Sequence, residues 1–368
     1  MRIAIKGTGQ LARMMALAGW PLGYSFAFFG SKQENTSCIE GLGDIIFLED
    51  HADIDSLYEA LGKPDVITVE KEEVDTALLR KLQQHCPIYP DPDAIDICRH
   101  CGKEKNWINE QGIPTANYHV TANRDDIIAA LNSFSSSAIL KTCSGGYDGY
   151  NQWRLKTEQD IQDLDDSVCV QDCVMEEMVN FSTEVSVIAA RNSKGEVAVY
   201  PVTENYHRRG TLLISEAPAP DLSEELEAEA QRMIATLLNA SNYVGVLAME
   251  CFVTENGLVV NELAPRVHNS GHWTMNAGIA SQFENHLRAI TGMPLGNTKP
   301  AKAGGMVNLL GVDVTAKDAL GKDAYLHLYN KSVKPNRKMG HINLQADDSE
   351  SLKAQLDALA KQVYGDDI

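Results

Sequence analysis

Two carboxylates and a cluster of anion-binding side chains stand close together late in the chain. Glu250 closes the apolar run Val244-Gly245-Val246-Leu247-Ala248-Met249, and Glu262 follows beyond an Asn256-Gly257 turn, so the acids flank what reads as a two-stranded hairpin. If the loop spans Glu255 to Gly257, with Gly257 left-handed, Glu250 faces Glu262 across the ladder. A two-residue loop puts them on opposite faces. Facing like charges destabilise a ladder unless a cation lies between them, and oxygen donors suit a hard divalent ion. A solvated hairpin with incidental acids has the same spacing; the apolar run before Glu250 is what speaks for a buried strand. Directly after the hairpin, Arg266, His268, Asn269 and His272 crowd a non-periodic stretch with Ser270 and Gly271, which sets donors for an anion beside the acids.

Further segments have the chemistry to hold a nucleotide. Gly7-Thr8-Gly9-Gln10-Leu11-Ala12 sits where a strand turns into a helix and suits a phosphate at the helix N-terminus. No acid closes the following strand, where Phe26-Ala27-Phe28-Phe29-Gly30 stands, so the ribose contact of an NAD site is missing. A tight turn with no ligand is the other reading. Lys141 ends a strand before Cys143-Ser144-Gly145-Gly146-Tyr147-Asp148-Gly149; this reads either as a flexible flap over phosphates or as a plain hairpin loop, since no GK[ST] follows. Strand Val168 to Met175 runs into Glu176-Glu177-Met178-Val179, and Glu184 follows in the next strand. Such a hinge offers backbone groups to a purine and a carboxylate to ribose hydroxyls, although solvated acids at a strand end look alike.

These groups need elements to position them. Arg2 to Lys6, Ser25 to Phe29, Asp44 to Phe47 and Val66 to Val69 read as strands, with helices over Gln10 to Ala18 and Ile54 to Leu61, a rhythm that predicts a parallel sheet with crossover helices. Pro87, Pro90 and Pro92 close that unit. A helix follows over Ile95 to Glu110, then a helix over Arg124 to Ser133, strands over Ala138 to Thr142 and Gln152 to Leu155, and a helix over Asp221 to Leu238 with an Asp221/Glu224 capping box. With 368 residues the chain exceeds one ordinary core. The charge, 32 minus 51 or −19, disfavours nonspecific binding to nucleic acid or to an anionic membrane. No apolar run reaches membrane-spanning length, and Met1-Arg2-Ile3-Ala4-Ile5 enters a strand without a signal-peptide pattern, so the expected location is the cytoplasm. The eight cysteines have no framework spacing and read as buried small hydrophobes; Cys98 and Cys101 lack the second ligand pair of a zinc site.

Together these pieces resemble one family. Lys-Thr-x-x-Gly-Gly-Tyr-Asp-Gly from Lys141, Glu-Glu-x-Val-x-Phe-x-x-Glu-Val-Ser from Glu176, Ala-Met-Glu-Cys-Phe from Ala248 and Asn-Glu-Leu-Ala-Pro-Arg-Val-His-Asn-Ser-Gly-His-Trp-Thr from Asn261 are similar to the 5-(carboxyamino)imidazole ribonucleotide synthases of the ATP-grasp superfamily. The likeness runs from Gly9-Gln10-Leu11 through Gly112-Ile113-Pro114-Thr115-Ala116 to Pro335-Asn336-Arg337-Lys338-Met339-Gly340-His341. It implies an α/β ATP-grasp fold with an N-terminal Rossmann-like parallel-sheet domain, a small α+β lid and a C-terminal ATP-grasp core. The expected division is 1–94, 95–180 with the lid loop, 181–300 with the metal hairpin, and a closing segment 301–368.

It also implies a reaction in which ATP phosphorylates bicarbonate to carboxyphosphate, which delivers CO2 to the exocyclic amine of 5-aminoimidazole ribonucleotide. By position, Lys105 and Lys141 match the family's phosphate lysines. Glu176, Glu177, Val179, Glu184 and His207 match its nucleotide contacts, and Glu250 and Glu262 its Mg2+ ligands. Asp148, Arg266, His268 and Asn269 fall where bicarbonate and the imidazole react. Gln10, Leu11, Glu70, Lys331 and Arg337 fall where the ribonucleotide binds, the last two at its phosphate. The resemblance further implies a homodimer. Two departures lie on the acceptor side, Tyr150 for a usual Arg or Lys and Glu73 for a usual Asn; in the first turn Thr8 replaces a common Gly. Arg208 and Arg209 are candidates to compensate at Tyr150, or are solvated loop residues. An ATP-grasp ligase with another acceptor therefore remains the alternative, ahead of an NAD-dependent oxidoreductase and a catalytically idle interaction protein.

Overall fold

The computed structural model describes residues 1–143, 151–169, 172–314 and 323–365. The opening rhythm builds β1 (Arg2–Lys6), α1 (Gln10–Gly19), β2 (Ser25–Gly30), β3 (Asp44–Phe47), α2 (Ile54–Ala60) and β4 (Val66–Val69). The strands pair in parallel in the order β3-β2-β1-β4. β4 is buried along its whole length, as a strand covered on both faces must be, and its run of Val and Ile follows from that. A short α3 (Thr76–Leu82), not expected from the pattern, is capped by the Asp75 carboxylate, which accepts from Leu78 N at 3.0 Å.

The single helix expected over Ile95 to Glu110 is two helices, α4 (Pro92–Cys98) and α5 (Cys101–Glu110). His100 is extended between them and its Nδ1 accepts from Lys103 N, so the chain restarts at a fresh cap in a new direction. That restart sends Glu104 and Lys105 into the interior.

A second sheet, antiparallel in the order β5-β8-β6-β7, comprises β5 (Tyr118–Thr121), β6 (Ala138–Thr142), β7 (Gln152–Leu155) and β8 (Cys173–Glu177). It is flanked by α6 (Arg124–Ser133), α7 (Glu158–Gln162) and α8 (Asp166–Cys169). The strand expected from Val168 starts instead at Cys173. The Asp165 carboxylate accepts from Ser167 N at 2.8 Å and turns the chain into α8 first.

The largest sheet joins β9 (Thr183–Arg191), β10 (Val197–Val199), β11 (Thr203–Arg208), β12 (Thr211–Ala217), β13 (Gly245–Thr254), β14 (Gly257–Ala264), β15 (Ala303–Leu310), β16 (Ala324–Leu328) and β17 (Lys338–Ala346). Its order is β14-β13-β9-β11-β12-β15-β17-β16, with β10 on β9. α9 (Glu224–Ala240) begins later than the expected Asp221, because Ser223 is the cap and accepts from Leu226 N at 3.3 Å. α9 covers one face through Met233, Ile234 and Leu237. α10 (Gln282–Ile290) fills the other, with Phe283 and Leu287 packed between β13 and α1, so the N-terminal sheet shares a core with the large one. α11 (Ser349–Tyr364) packs on β15 and β17.

Candidate functional site

The hairpin reaches the expected facing of Glu250 and Glu262 by a different route. Thr254 pairs with Gly257, so the loop is only Glu255-Asn256, and continuing that register would set Glu250 opposite Asn261. A β-bulge between Glu250 and Cys251 takes up Asn261 as an extra residue and brings Glu250 opposite Glu262. The expectation of a three-residue loop is corrected; the shift of one residue comes from the bulge. The bulge also frees Asn261 for other partners. Its carbonyl accepts from Lys105 Nζ at 3.2 Å and its Oδ1 from Lys141 Nζ at 3.3 Å.

Both ammonium groups converge on Glu176 at the end of β8, Lys105 at 3.3 Å and Lys141 at 3.1 Å. Lys105, brought in by α5, is 1% exposed. Burial opposes charge on Glu176, and the two lysines outweigh it and hold the carboxyl below its usual range. Glu104 lies beside them, its Oε1 accepting from Leu263 N at 2.9 Å; burial and the neighbouring Glu262 raise it.

The two facing acids are held in opposite ways. Burial would raise Glu250, but His268, whose Nε2 lies 2.9 Å from its Oε1, together with His207 and Lys338, holds it at about 2. Glu262 reaches into the cleft; loss of hydration between the cleft walls and then the charge on Glu250 push it up to about 7. Arg266 makes a two-pronged ion pair with Glu72, Nη2 to Oε1 being 3.0 Å. His207 Nδ1 lies 3.1 Å from Glu184 Oε2. Both polar atoms of the Asn269 amide are buried with no hydrogen-bond partner among the described residues.

A separate cavity of about 240 Å³ lies at the first strand-to-helix turn, lined by Thr8, Gly9, Glu34, Glu70, Lys331 and Arg337 among others. Gly9 N donates to Glu70 Oε2 at 2.6 Å, and a β-carbon at residue 9 would collide with that carboxylate. The glycines here wrap a protein carboxylate. Lys331 Nζ donates to Gln10 Oε1 at 2.5 Å, and Arg337 Nη1 donates to Ser332 O at 3.1 Å. Leu11 turns its side chain into the core, leaving only its backbone toward the turn.

Comparison with known proteins matches this architecture part by part. Residues 1–99 match the ribonucleotide synthetase preATP-grasp domain, 106–283 the ATP-grasp domain, and 305–355 the phosphoribosylaminoimidazole carboxylase C-terminal domain. The N5-carboxyaminoimidazole ribonucleotide synthase of Vibrio vulnificus is 40% identical over 98% of this chain and 95% of its own. This chain belongs to the N5-carboxyaminoimidazole ribonucleotide synthase family. The crystal structure of the family member from Thermus thermophilus superposes with a TM-score of 0.91 at 38% identity, covering 99% of both chains. That of the Aspergillus clavatus synthase in complex with ADP and 5-aminoimidazole ribonucleotide gives 0.87 at 25% identity, covering 98% of both.

The residues expected at the nucleotide come together: Lys105, Lys141 and Glu176 adjoin the bulge, and Glu184 and His207 adjoin Glu250. Glu177 stands apart, its carboxylate taken up by Asn117 Nδ2 at 2.8 Å and by Ser135 N at 2.8 Å; Val179 follows in the link to β9. Asp148, Tyr150 and the glycine-rich loop lie outside the described residues. Arg208 stacks on the Tyr364 ring of α11 at 5.5 Å, and Arg209 and Gly210 turn the β11–β12 hairpin with positive φ, Arg209 being exposed. Among the described residues no group of three or more His, Cys, Asp or Glu is placed to hold a metal. Glu250 and Glu262 nevertheless fit Mg2+, which usually takes one or two carboxylates and completes its shell with phosphates and water. Glu72, Glu104 and Asn261 were not anticipated as site residues. Glu72 stands in the acidic run Glu70 to Glu73, whereas nothing in the sequence marks Asn261 as a bulge.

Proposed function

We propose that this chain uses ATP to carboxylate the exocyclic amine of 5-aminoimidazole ribonucleotide with bicarbonate, in the cytoplasm and as a homodimer. The observation that carries this reading is the bulged hairpin of a family member: it sets two carboxylates face to face and, at its extra residue, gathers the lysines that neutralise phosphates. In the first step the γ-phosphoryl group passes to a bicarbonate oxygen and ADP leaves. Carboxyphosphate then releases phosphate as its carbon dioxide is captured by the amine. Lys105 and Lys141 neutralise the nucleotide phosphates, and Glu176, Val179 and Glu184 hold the nucleoside, with Glu177 and His207 behind them. Glu250 and Glu262 hold Mg2+, which when bound shields the charge on the transferred phosphoryl oxygens.

Arg266, His268 and Asn269, with Asp148, hold bicarbonate and the imidazole. Arg266 is already fixed by Glu72, and the unpartnered Asn269 amide offers both a donor and an acceptor. Gln10, Glu70 and the backbone at Leu11 line the ribonucleotide end, with Lys331 and Arg337 at its phosphate. Burial pushes the Lys331 ammonium down, which a phosphate dianion would reverse. The same reading divides the chain at 94, 180 and 300. ADP release measured with each substrate omitted in turn is the test: it should require both bicarbonate and 5-aminoimidazole ribonucleotide. Release that persists at the full rate without the ribonucleotide means a different acceptor.

A further inference from the structure

A row of small polar side chains crosses the large sheet behind His268. Ser186 on β9 pairs with Glu250 on β13; Asn205 on β11 lies diagonally across from Ser186, and Ser215 on β12 is directly opposite Asn205. Ser186, Ser215 and Ser270 are 0% exposed and Asn205 is 7% exposed. Four buried polar groups, three on the sheet and Ser270 just beyond it, are costly unless each is satisfied. They satisfy one another in a single line. Ser215 Oγ donates to Asn205 Oδ1 at 2.8 Å, and Asn205 Nδ2 donates to Ser186 Oγ at 3.0 Å. Ser186 Oγ donates to Ser270 Oγ at 2.7 Å, and Ser270 Oγ lies 2.9 Å from His268 Nδ1.

The direction of this line is set at one residue. A hydroxyl can reverse by rotating, whereas the Asn205 amide has a donor end and an acceptor end. With Oδ1 toward Ser215, Nδ2 donates to Ser186 and Ser186 donates to Ser270, which leaves the Ser270 hydroxyl proton free to point at His268 Nδ1. The Ser270 backbone N–H also aims at that nitrogen, at 3.4 Å. In the neutral ring Nδ1 is then the acceptor, which puts the proton on Nε2, 2.9 Å from Glu250 Oε1.

We propose that Asn205, acting through Ser186 and Ser270, is a positioning residue that locks His268 as the Nε2–H tautomer, so that the imidazole keeps its donor on the Glu250 carboxylate and holds its ring fixed beside the acceptor site. This deepens the reading of His268 as a bicarbonate-side residue and rests on it for its kinetic consequence. Asn205→Asp offers acceptors to both Ser186 and Ser215, which reverses the line; Nδ1 must then carry the proton and Nε2 turns a lone pair toward Glu250. Ser186→Ala cuts the line without changing its polarity.

The test is nitrogen NMR of histidine-labelled protein at mildly alkaline pH, with the His268 signals assigned by a His268→Gln variant. The parent should show a pyrrole-type Nε2 and a pyridine-type Nδ1. Asn205→Asp should exchange the two, and Ser186→Ala should move both toward intermediate positions. A parent ring protonated on Nδ1, or both variants retaining the parental pattern, overturns the relay, and the parent spectrum decides this even if a variant fails to fold. The kinetic arm is separate: Asn205→Asp should lower kcat/KM for bicarbonate by about 100-fold, the scale of one lost preorganised donor. An exchanged tautomer with unchanged bicarbonate kinetics overturns the role of His268 while leaving the tautomer lock in place.

Discussion

Glu262 and Glu250 are chemically identical groups placed opposite one another, and the protein gives them opposite proton affinities. His268 leans on Glu250 and keeps it ionised, whereas Glu262, at the open side of the cleft, is pushed up to about 7 first by lost hydration and then by the charge on Glu250. A cation between them removes that conflict. Glu262→Gln keeps the shape and removes the charge, and turnover should fall by about 1000-fold, as for loss of one strong electrostatic stabiliser. Steady-state ADP release measures it, and a variant within a few-fold of the parent would mean that the hairpin binds no catalytic metal. These acids were legible in the sequence from residue type and apolar flank; their facing was not, because the loop has two residues and an unmarked bulge restores the register. The partners that tune them were not. Glu72 meets Arg266 across 194 positions, and no local pattern encodes such a contact.

Among the elements, the bulged β13–β14 hairpin and the β11–β12 hairpin each carry a pair of facing glutamates. Deleting Asn261 should restore a plain two-residue hairpin in which Glu262 still stands opposite Glu250, but leave Lys105 without its carbonyl and Lys141 without its amide oxygen. Turnover should then drop as far as in Glu262→Gln; parental activity in the deletion would show that the bulge does not set the site. In the second hairpin Glu204 is paired with Glu216, whose Oε1 is buried without a hydrogen-bond partner among the described residues. Burial first, and then the Glu204 charge, push Glu216 up to about 7 from an ordinary 4.5. Because the folded value lies above the unfolded one, its stabilising contribution is fully present below pH 4.5 and is lost as pH rises through about 7. Glu216→Gln should therefore raise stability at pH 8 by about 1–2 kcal/mol and change it little near pH 5. Equal effects in denaturant melts at both pH values would contradict this assignment.

Strand and helix positions in the first third were readable from their alternation, since covered parallel strands leave continuous apolar runs. Where a short polar side chain restarts the chain, as at His100, Asp165 or Ser223, the boundary moved, because apolar periodicity does not register a cap.

For the molecule as a whole, the N-terminal sheet and the closing segment meet at Lys331 and Gln10, 321 positions apart. Arg337→Ala should raise KM for 5-aminoimidazole ribonucleotide by about 10- to 100-fold, the worth of a charge-assisted hydrogen bond, and leave KM for ATP near the parental value. An equal rise for both substrates would make this end of the chain a support for the fold alone. Only the resemblance to relatives brought these distant ends together at the sequence level; periodicity and turn signals stop at the limits of single elements. Their meeting has a consequence for the order of synthesis. On the proposed assignment, every described side chain at the nucleotide end has left the ribosome once Asn269 is out, whereas the proposed ribonucleotide pocket lacks a wall until Lys331 and Arg337 emerge. A nascent chain halted between those points would have its ATP-side groups in hand and no complete seat for the acceptor, so the capacity to couple the two substrates arrives last.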